Sequence, residues 1–329
     1  MVKRTMRVTV VALGLALVTT GCGATAKQDG GASAKLTGVR FMVPNTAGGG
    51  YDTTARTAAK VLEDAGIAEG VEVFNLPGAG GTVGLARLVN EKGRGDLAMM
   101  MGLGVVGSVH TNSSKATLAD TTPLARLIEE SGAIVVAKDS PYRTLDQLIT
   151  AWTADPGKVT VGGGSSPGGP DHLLPMQLAQ TVGIAPKTVN YIPYDGGGEL
   201  LPAVLGGKVA FGASGYSEFL PQIESGRVRV LAVTGEERVG AVDAPTLKEQ
   251  GVDLVFTNWR GMVAPPGISA DDRKKLQGAL DRMHGSAEWK AQLAEKGWTD
   301  AYLTGDEFGK FLTEQDQRVG DVLRQLGLG

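Results

Sequence analysis

Short apolar runs alternate with amphipathic segments along most of this chain. Apolar runs of about four to eight residues are typical of buried strands, and apolar positions three and four apart are typical of helices. The strands predicted on this basis are residues 39–43, 71–75, 96–101, 124–129, 133–137, 158–161, 188–192, 209–213, 228–233 and 261–264. The predicted helices are residues 52–65, 82–91, 144–152, 171–181, 199–205, 216–225, 270–284, 287–296 and 305–326. The alternation predicts an α/β fold.

This alternation favours mostly parallel sheets with helices on both faces. A turn at Ser131 and Gly132 is predicted between the fourth and fifth strands. The chain has 329 residues, which is enough for two lobes of ordinary domain size. Ligands of such folds bind at the carboxyl ends of the strands. We therefore expect two lobes that face each other across a ligand cleft.

Three glycine-rich turns stand where a predicted strand meets a predicted helix. They run from Pro44 to Asp52, from Pro77 to Thr82 and from Gly162 to Gly169. Glycine lets the backbone approach a ligand closely, and the first N–H groups of a helix have no partner within it. Such a turn favours an anion, and a small carboxylate is the simplest candidate.

The predicted ligand-binding residues lie in these turns and at similar positions after other strands. They are Asn45, Thr46, Ala47, Gly49, Gly50, Tyr51, Asp52, Gly80, Gly81, Gly102, Gly164, Ser165, Ser166, Asp195, Gly196, Ser214 and Tyr216. Asp52 is interpreted mainly as a capping or first-turn residue, with contact to an amine-bearing ligand as the alternative. Arg260 is expected in a surface or inter-lobe ion pair, with a ligand carboxylate as the alternative partner.

Two patterns suggest other site types, and each lacks a necessary residue. The segment 78–84 resembles a dinucleotide-binding fingerprint, but Val83 stands where the third glycine belongs. The segment 164–168 matches the G-x-S-x-G turn of hydrolases, yet Pro167 has no N–H for the oxyanion hole beside Ser166. The three histidines lack metal-ligand spacing, so neither a metal nor a cofactor is expected.

The first 22 residues have the pattern of an export signal. A basic start precedes an apolar run, Val8 to Val18, that is too short for a stable membrane span. Gly21 and Cys22 then resemble a lipobox, so Cys22, the only cysteine, is predicted to carry a lipid anchor. Residues 23–36 are expected to form a flexible tether. The protein is thus predicted to be exported and anchored to the outer face of the cytoplasmic membrane, at the cell surface or in the periplasm.

Several motifs, in this order, resemble the tripartite tricarboxylate transporter substrate-binding proteins, also called the Bug family. They are Val43-Pro44 with Gly48-Gly49 and Asp52, Asn75-x-Pro77 through Gly84, Ile192-Pro193-Tyr194 with Gly196-Gly197, Gly206 to Val209, Gly226 to Thr234, Trp259-x-Gly261 and Ala264 to Gly267. The resemblance implies a two-lobed type II periplasmic-binding fold that closes on a small carboxylate. Lobe 1 would comprise residues 37–137 and 257–329, and lobe 2 residues 138–256.

The resemblance further implies a non-enzymatic, monomeric solute-binding protein that delivers its ligand to membrane transporter subunits. The formal net charge of −3 gives no reason to expect a nucleic-acid partner. The alternatives are a ligand-binding sensor for a two-component system and an exported serine hydrolase that uses Ser166. The chain departs from the family pattern at Asn45, often Phe or Tyr there, and at Asp195, often basic. Asp195 would repel a second carboxylate or accept a hydrogen bond from an amino or hydroxyl group.

Overall fold

The computed structural model describes residues 35–239 and 243–328. The predicted signal sequence and lipidation site, residues 1–22, lie outside the described residues, as does most of the predicted tether. The end of that tether, predicted to extend to residue 36, is placed too late, because Leu36 already pairs with Ala68 in a short parallel ladder.

Twelve strands occur within the described ranges. They are β1 (Leu36–Thr37), β2 (Arg40–Val43), β3 (Ala68–Glu69), β4 (Glu72–Asn75), β5 (Leu97–Gly102), β6 (Thr122–Ala137), β7 (Val161–Gly163), β8 (Tyr191–Pro193), β9 (Phe211–Gly215), β10 (Val228–Val233), β11 (Thr257–Ala264) and β12 (Trp298–Thr304).

Ten α-helices connect these strands in the same ranges. They are α1 (Gly50–Asp64), α2 (Thr82–Asn90), α3 (Leu103–Thr111), α4 (Leu145–Ala154), α5 (Pro170–Thr181), α6 (Gly197–Leu205), α7 (Tyr216–Glu224), α8 (Ala270–Gly285), α9 (Ala287–Lys296) and α10 (Gly305–Gln325). Three helices have an N-cap whose side chain accepts a hydrogen bond from the backbone N–H three residues further on. These N-caps are Thr144 for α4, Ser269 for α8 and Ser286 for α9. None of the described helices is long and apolar enough to cross a membrane.

The main sheet has the strand order β4-β2-β5-β11-β6-β9-β7-β8, and β10 and β12 also pair with β6. Strands β4, β2 and β5 are parallel, as are β8, β7 and β9. Every pairing of β6 and β11 is antiparallel. The expected α/β fold is confirmed, but its sheet is mixed, because the parallel strands are joined through an antiparallel centre.

Strand β6 is a single strand of 16 residues and not the predicted two strands with a turn. Ser131 pairs with Thr257 on β11, and Gly132 pairs with Gly215 on β9. The predicted Ser131-Gly132 turn is wrong because these long-range ladders hold both residues extended. The first part of β6 therefore belongs to one half of the sheet, with β11 and β12, and the second part to the other half, with β9 and β10.

The strand β12 is absent from the sequence-based prediction. It begins directly after Gly297, which has a φ of 64° and ends α9. Its alternation of apolar and polar residues is weak, and its pairing partner, β6, lies more than a hundred residues earlier in the chain. A local pattern therefore had little to indicate it.

The core includes apolar residues from both halves of the sheet. Trp152 of α4 is fully buried and meets the ring of Phe211 on β9 edge-on, with the ring centroids 5.2 Å apart. Helix α4 thereby covers one face of the sheet beside the strand that leads into α7.

Trp152→Ala is expected to lower the free energy of unfolding by about 3–5 kcal/mol, because it removes a large buried ring and leaves a cavity. Reversible urea denaturation measures this change. Thr153→Ala, at the exposed next position of α4, is the control and should change stability by less than about 0.5 kcal/mol. Equal losses from the two substitutions would contradict this placement of the helix.

Candidate functional site

Six helices begin at glycines that follow the ends of strands or turns. Their N-cap residues are Gly49 for α1, Gly81 for α2, Gly102 for α3, Gly169 for α5, Gly196 for α6 and Gly215 for α7. None of these N-caps has a side chain to bond the first turn, in contrast to those of α4, α8 and α9. The first N–H groups of such helices therefore remain for other partners.

A pocket lies where α1, α3 and α5 begin, between the two halves of the sheet. It encloses about 490 Å³, including the space at its mouth. Its lining residues are Pro44, Asn45, Gly50, Tyr51, Gly80, Gly104, Ser108, Gly164, Ser165, Ser166, Pro170, Asp171, Asp195, Glu218, Asn258 and Arg260.

About half of the predicted ligand-binding residues line this pocket, and residues from all three glycine turns are among them. The residues that do so are Asn45, Gly50, Tyr51, Gly80, Gly164, Ser165, Ser166 and Asp195. The predicted residues outside its lining are Thr46, Ala47, Gly49, Asp52, Gly81, Gly102, Gly196, Ser214 and Tyr216.

Several residues outside the lining have structural partners that explain their positions. Asp52 accepts hydrogen bonds from the N–H of Gly48 and from Arg56, so it organises the first turn, as expected. Ser214 donates to Asp171 at 2.8 Å and so acts behind the pocket wall. Tyr216 is fully buried among apolar side chains, because α7 turns its ring toward the core.

Three charged residues form a buried cluster on the floor of the pocket. Arg260 of β11 contacts Glu130 of β6 at 2.6 Å and Glu218 of α7 at 3.5 Å. The side chains of Arg260 and Glu130 are at most 1% exposed. Arg260 is therefore in an ion pair, but the pair is buried and not on the surface, because β11 runs through the middle of the sheet.

Glycine at position 50 makes room for this cluster at the start of α1. A Cβ atom there would lie 2.1 Å from Nη2 of Arg260 and 2.8 Å from Oε1 of Glu218. Such distances are far below van der Waals contact, so the guanidinium and the carboxylate pack directly against the backbone of the first glycine turn.

Two acidic residues of the pocket have strongly shifted proton affinities. Burial raises the pKa of Asp171 to about 7, against the opposing effects of the Ser214 hydroxyl and Arg260. Burial, together with the nearby charge of Asp171, raises the pKa of Glu218 to about 8. Both shifts have the direction expected for carboxyl groups removed from water without a full countercharge.

Contacts between the turns join the two halves of the sheet around the pocket. The N–H of Thr46 donates to the Asp195 carboxylate at 3.1 Å, and the Thr46 hydroxyl donates to the Asp195 carbonyl oxygen. A Cβ atom on Gly107 of α3 would lie 1.9 Å from the carbonyl oxygen of Gly168. The bare backbone of these glycines therefore permits an approach that alanine would prevent.

Eight lining residues were not among the predicted ligand-binding residues, and five of them are polar or charged; for one, Arg260, a ligand carboxylate was only the alternative partner. They are Pro44, Gly104, Ser108, Pro170, Asp171, Glu218, Asn258 and Arg260. Asp171 and Glu218 stand in the first turns of helices that begin at glycines, which is a usable signal. An acid in the first turn of a helix also stabilises the helix itself. The position therefore does not distinguish a residue that binds a ligand from one that only stabilises its helix.

Residues in and next to the G-x-S-x-G segment form hydrogen bonds that hold the third glycine turn. Ser165 accepts a bond from the N–H of Asp171, and its carbonyl oxygen accepts one from Tyr191. Nδ1 of His172 accepts from the N–H of Gly168, and burial lowers the pKa of this imidazole to about 4. His172 is thus a structural residue of the turn, as its position near a helix start indicates.

Comparison with known proteins assigns the chain to a family. The model of the tripartite tricarboxylate transporter family receptor matches residues 54–328, most of the chain. The chain belongs to this family. It is also 29% identical over 298 residues to the UPF0065 protein in the gbd 5'region of Cupriavidus necator, with 88% of each sequence covered. The predicted family resemblance and the predicted class of solute receptor are confirmed.

Solved structures agree with this assignment at the level of the fold. The periplasmic binding protein BugD has a TM-score of 0.79 at 24% identity, covering 90% of this chain and 99% of its own. MatC from Rhodopseudomonas palustris, solved with bound malate, has a TM-score of 0.77 at 23% identity, covering 87% and 99%. The receptor therefore has the fold of exported solute-binding proteins.

Gly107→Ala is expected to lower the free energy of unfolding by about 1–3 kcal/mol, because the new methyl group overpacks the contact with Gly168. Gly278→Ala is the matched control, since it also lies inside a helix but has no atom within 4 Å of the added Cβ. It should stabilise the receptor by up to ~1 kcal/mol through helix propensity. Urea denaturation of both variants measures the difference, and changes of the same sign and size would show that the Gly107–Gly168 contact does not form in solution.

Proposed function

We propose that this receptor captures a small carboxylate in the pocket between the half-sheets and delivers it to a membrane transporter of the tripartite tricarboxylate type. The observation that carries the proposal is the convergence of glycine-initiated helices on one pocket. Gly50 and Tyr51 open α1, and Gly104 lies in the first turn of α3. Pro170, which opens α5, lines the same pocket but has no N–H to donate. Each helix start favours an anion by about 0.3–1 kcal/mol at exposed sites and by more where it is partly buried.

Neutral hydroxyl groups add to the donors at this end of the pocket. The hydroxyls of Ser165 and Ser166 lie in the lining. The Tyr51 hydroxyl accepts from the N–H of Val105 at 3.3 Å, and burial raises its pKa well above the usual range. It therefore stays protonated at neutral pH and keeps its own hydrogen for a ligand oxygen. Donors without charge suit a receptor that must release its cargo, because a direct Arg–carboxylate pair would bind more strongly.

The relatives support the carboxylate class. MatC was solved with bound malate, and another structural neighbour from Rhodopseudomonas palustris was solved with adipate. Both of these ligands are small dicarboxylates.

Ligand capture in this proposal uses two lobes, residues 37–137 with 257–329 and residues 138–256. The chain passes between the half-sheets within β6, near Ser131 and Gly132, and again before β11, which begins at Thr257. A hinge at these two crossings would open the contacts between Thr46 and Asp195, which belong to different lobes. Hinge closure around a ligand is the usual motion of two-lobed binding proteins.

The receptor is further proposed to act as a monomer that is lipid-anchored through Cys22 to the outer face of the cytoplasmic membrane. The basic start, the apolar run and the cysteine that follows Gly21 support this part of the proposal. A tether after the anchor would let the folded receptor reach a transporter in the same membrane.

Binding of a carboxylate should raise the midpoint of thermal unfolding of the receptor without its signal sequence. At a concentration one hundred times its Kd, a ligand stabilises the folded state by about 2.7 kcal/mol. The screen should include dicarboxylates, tricarboxylates, aromatic acids and acidic amino acids, each beside its uncharged amide as the control. If no acid in the screen raised the midpoint more than its amide does, the proposed function would be rejected.

Cells fed an alkyne-tagged fatty acid should label the wild-type receptor and not a Cys22→Ser variant, because only a thiol accepts the lipid. The variant should also leave the membrane fraction. A Ser33→Ala variant in the same N-terminal segment is the control and should label normally. Equal labelling of the wild type and the Cys22→Ser variant would exclude this anchor site.

A further inference from the structure

The pocket contains more acidic groups than its one cationic side chain can balance. Its lining includes the carboxyl groups of Asp171, Asp195 and Glu218, and its only cationic side chain is Arg260. Arg260 already forms a close pair with Glu130, at 2.6 Å. Within the described residues, Glu218 has only the longer contact with the same guanidinium, at 3.5 Å, and Asp171 has no ion pair.

Apart from the long contact between Arg260 and Glu218, at 3.5 Å, the hydrogen bonds of these two carboxyl groups come from neutral donors. Asp171 accepts from the Ser214 hydroxyl at 2.8 Å, and Glu218 accepts from the N–H of Gly197 at 2.7 Å. Asp171 is 6% exposed, and so is the side chain of Glu218. An ionised carboxylate in such a place is costly unless it has a closely paired cation, and Arg260 is shared with Glu130.

Unpartnered polar atoms at the same pocket point to a ligand with hydrogen-bond donors. Oδ1 of Asn258 and Oγ of Ser108 are buried without a hydrogen-bond partner, and these residues are 7% and 1% exposed. Oδ1 of Asn45 is a third unpartnered atom, at the edge of the first glycine turn. The two amide oxygens can only accept hydrogen bonds, so their partner must donate.

We propose that the ligand of this pocket is a carboxylate that also carries a protonated amino group. Its carboxylate lies at the starts of α1 and α3, and its ammonium group lies against Glu218 and Asp171. This inference rests on the proposed function and narrows its substrate class. An ammonium group supplies both the missing cation and up to three donors for the acceptors around it. A dicarboxylate would instead place a second negative charge beside two buried acids.

Isothermal titration of the receptor without its signal sequence, at pH 7, compares acids that differ only in the amino group. The pairs are aspartate with succinate, glutamate with glutarate, and 5-aminovalerate with valerate. In at least one pair, the amine-bearing acid should bind about tenfold more tightly or better, which corresponds to ~1.4 kcal/mol. Tighter or equal binding of the plain acid in every pair would overturn the inference while leaving the proposed function intact. Absence of binding by all six acids and by the wider carboxylate screen would instead reject the proposed function itself.

Glu218→Gln should reduce the affinity for the amine-bearing acid. The ratio of its affinity to that of the matched acid without an amino group should therefore become smaller. Glu224→Gln is the matched control, because it makes the same chemical change at an exposed position of the same helix. It should leave both affinities unchanged. The inference would be contradicted if folded Glu218→Gln and Asp171→Asn variants both kept the full preference of the wild type for the amine-bearing acid over the plain acid.

A measurement on the wild type alone avoids any question of folding. Titration in two buffers of different ionisation enthalpy counts the protons exchanged on binding. An ammonium group favours the ionised forms of Asp171 and Glu218, so its binding should release protons at pH 7. Asp195, Glu130, Arg260 and Tyr51 also face this region, and of these Asp195, whose pKa is raised by burial, can add to the release. Proton uptake on binding of the amine-bearing acid would overturn the inference.

Discussion

The buried ion pair between Arg260 and Glu130 is the interaction on which the arrangement of the site depends. It joins β11 to β6 at the point where β6 passes from one half of the sheet to the other. The other oxygen of Glu130 accepts a hydrogen bond from the N–H of Ser217, at 2.6 Å, which fixes the start of α7. Removal of one member of such a pair leaves an unpaired buried charge, at a cost of about 3–5 kcal/mol. The pair therefore positions Glu218 and the pocket floor in addition to satisfying its own charges.

Much of the fold could be predicted from local patterns, because strands and helices alternate with clear periodicity. The glycine turns also indicated where the pocket lies, since glycine before a helix leaves the first N–H groups available. The Ser131-Gly132 turn and β12 could not be predicted correctly in the same way. Both depend on ladders between residues that are far apart in the sequence, and a window of neighbouring residues contains no information about such partners.

The chemistry of the pocket was less accessible to sequence reasoning than its position. Asp195 stood out as a departure from the family pattern, whereas Asp171 and Glu218 look like ordinary first-turn acids. Their burial, and the pairing of Arg260 with Glu130, exist only in three dimensions. Residues that give the family its shape are thus visible in the sequence as glycines and prolines, while residues that set the charge of this pocket are distributed among α5, α7, β6 and β11.

The long strand β6 also sets the order in which the receptor can be completed as it is synthesised. Its first part needs β11 and β12, which end at Ala264 and Thr304, close to the end of the chain. Pairings between such distant segments form slowly, because a long loop must close before they gain any stability. The sheet around the pocket consequently stays unfinished until most of the chain has been made. This delay keeps the chain unfolded for longer during synthesis. An exported receptor benefits from the delay, because an unfolded chain can be translocated across a membrane.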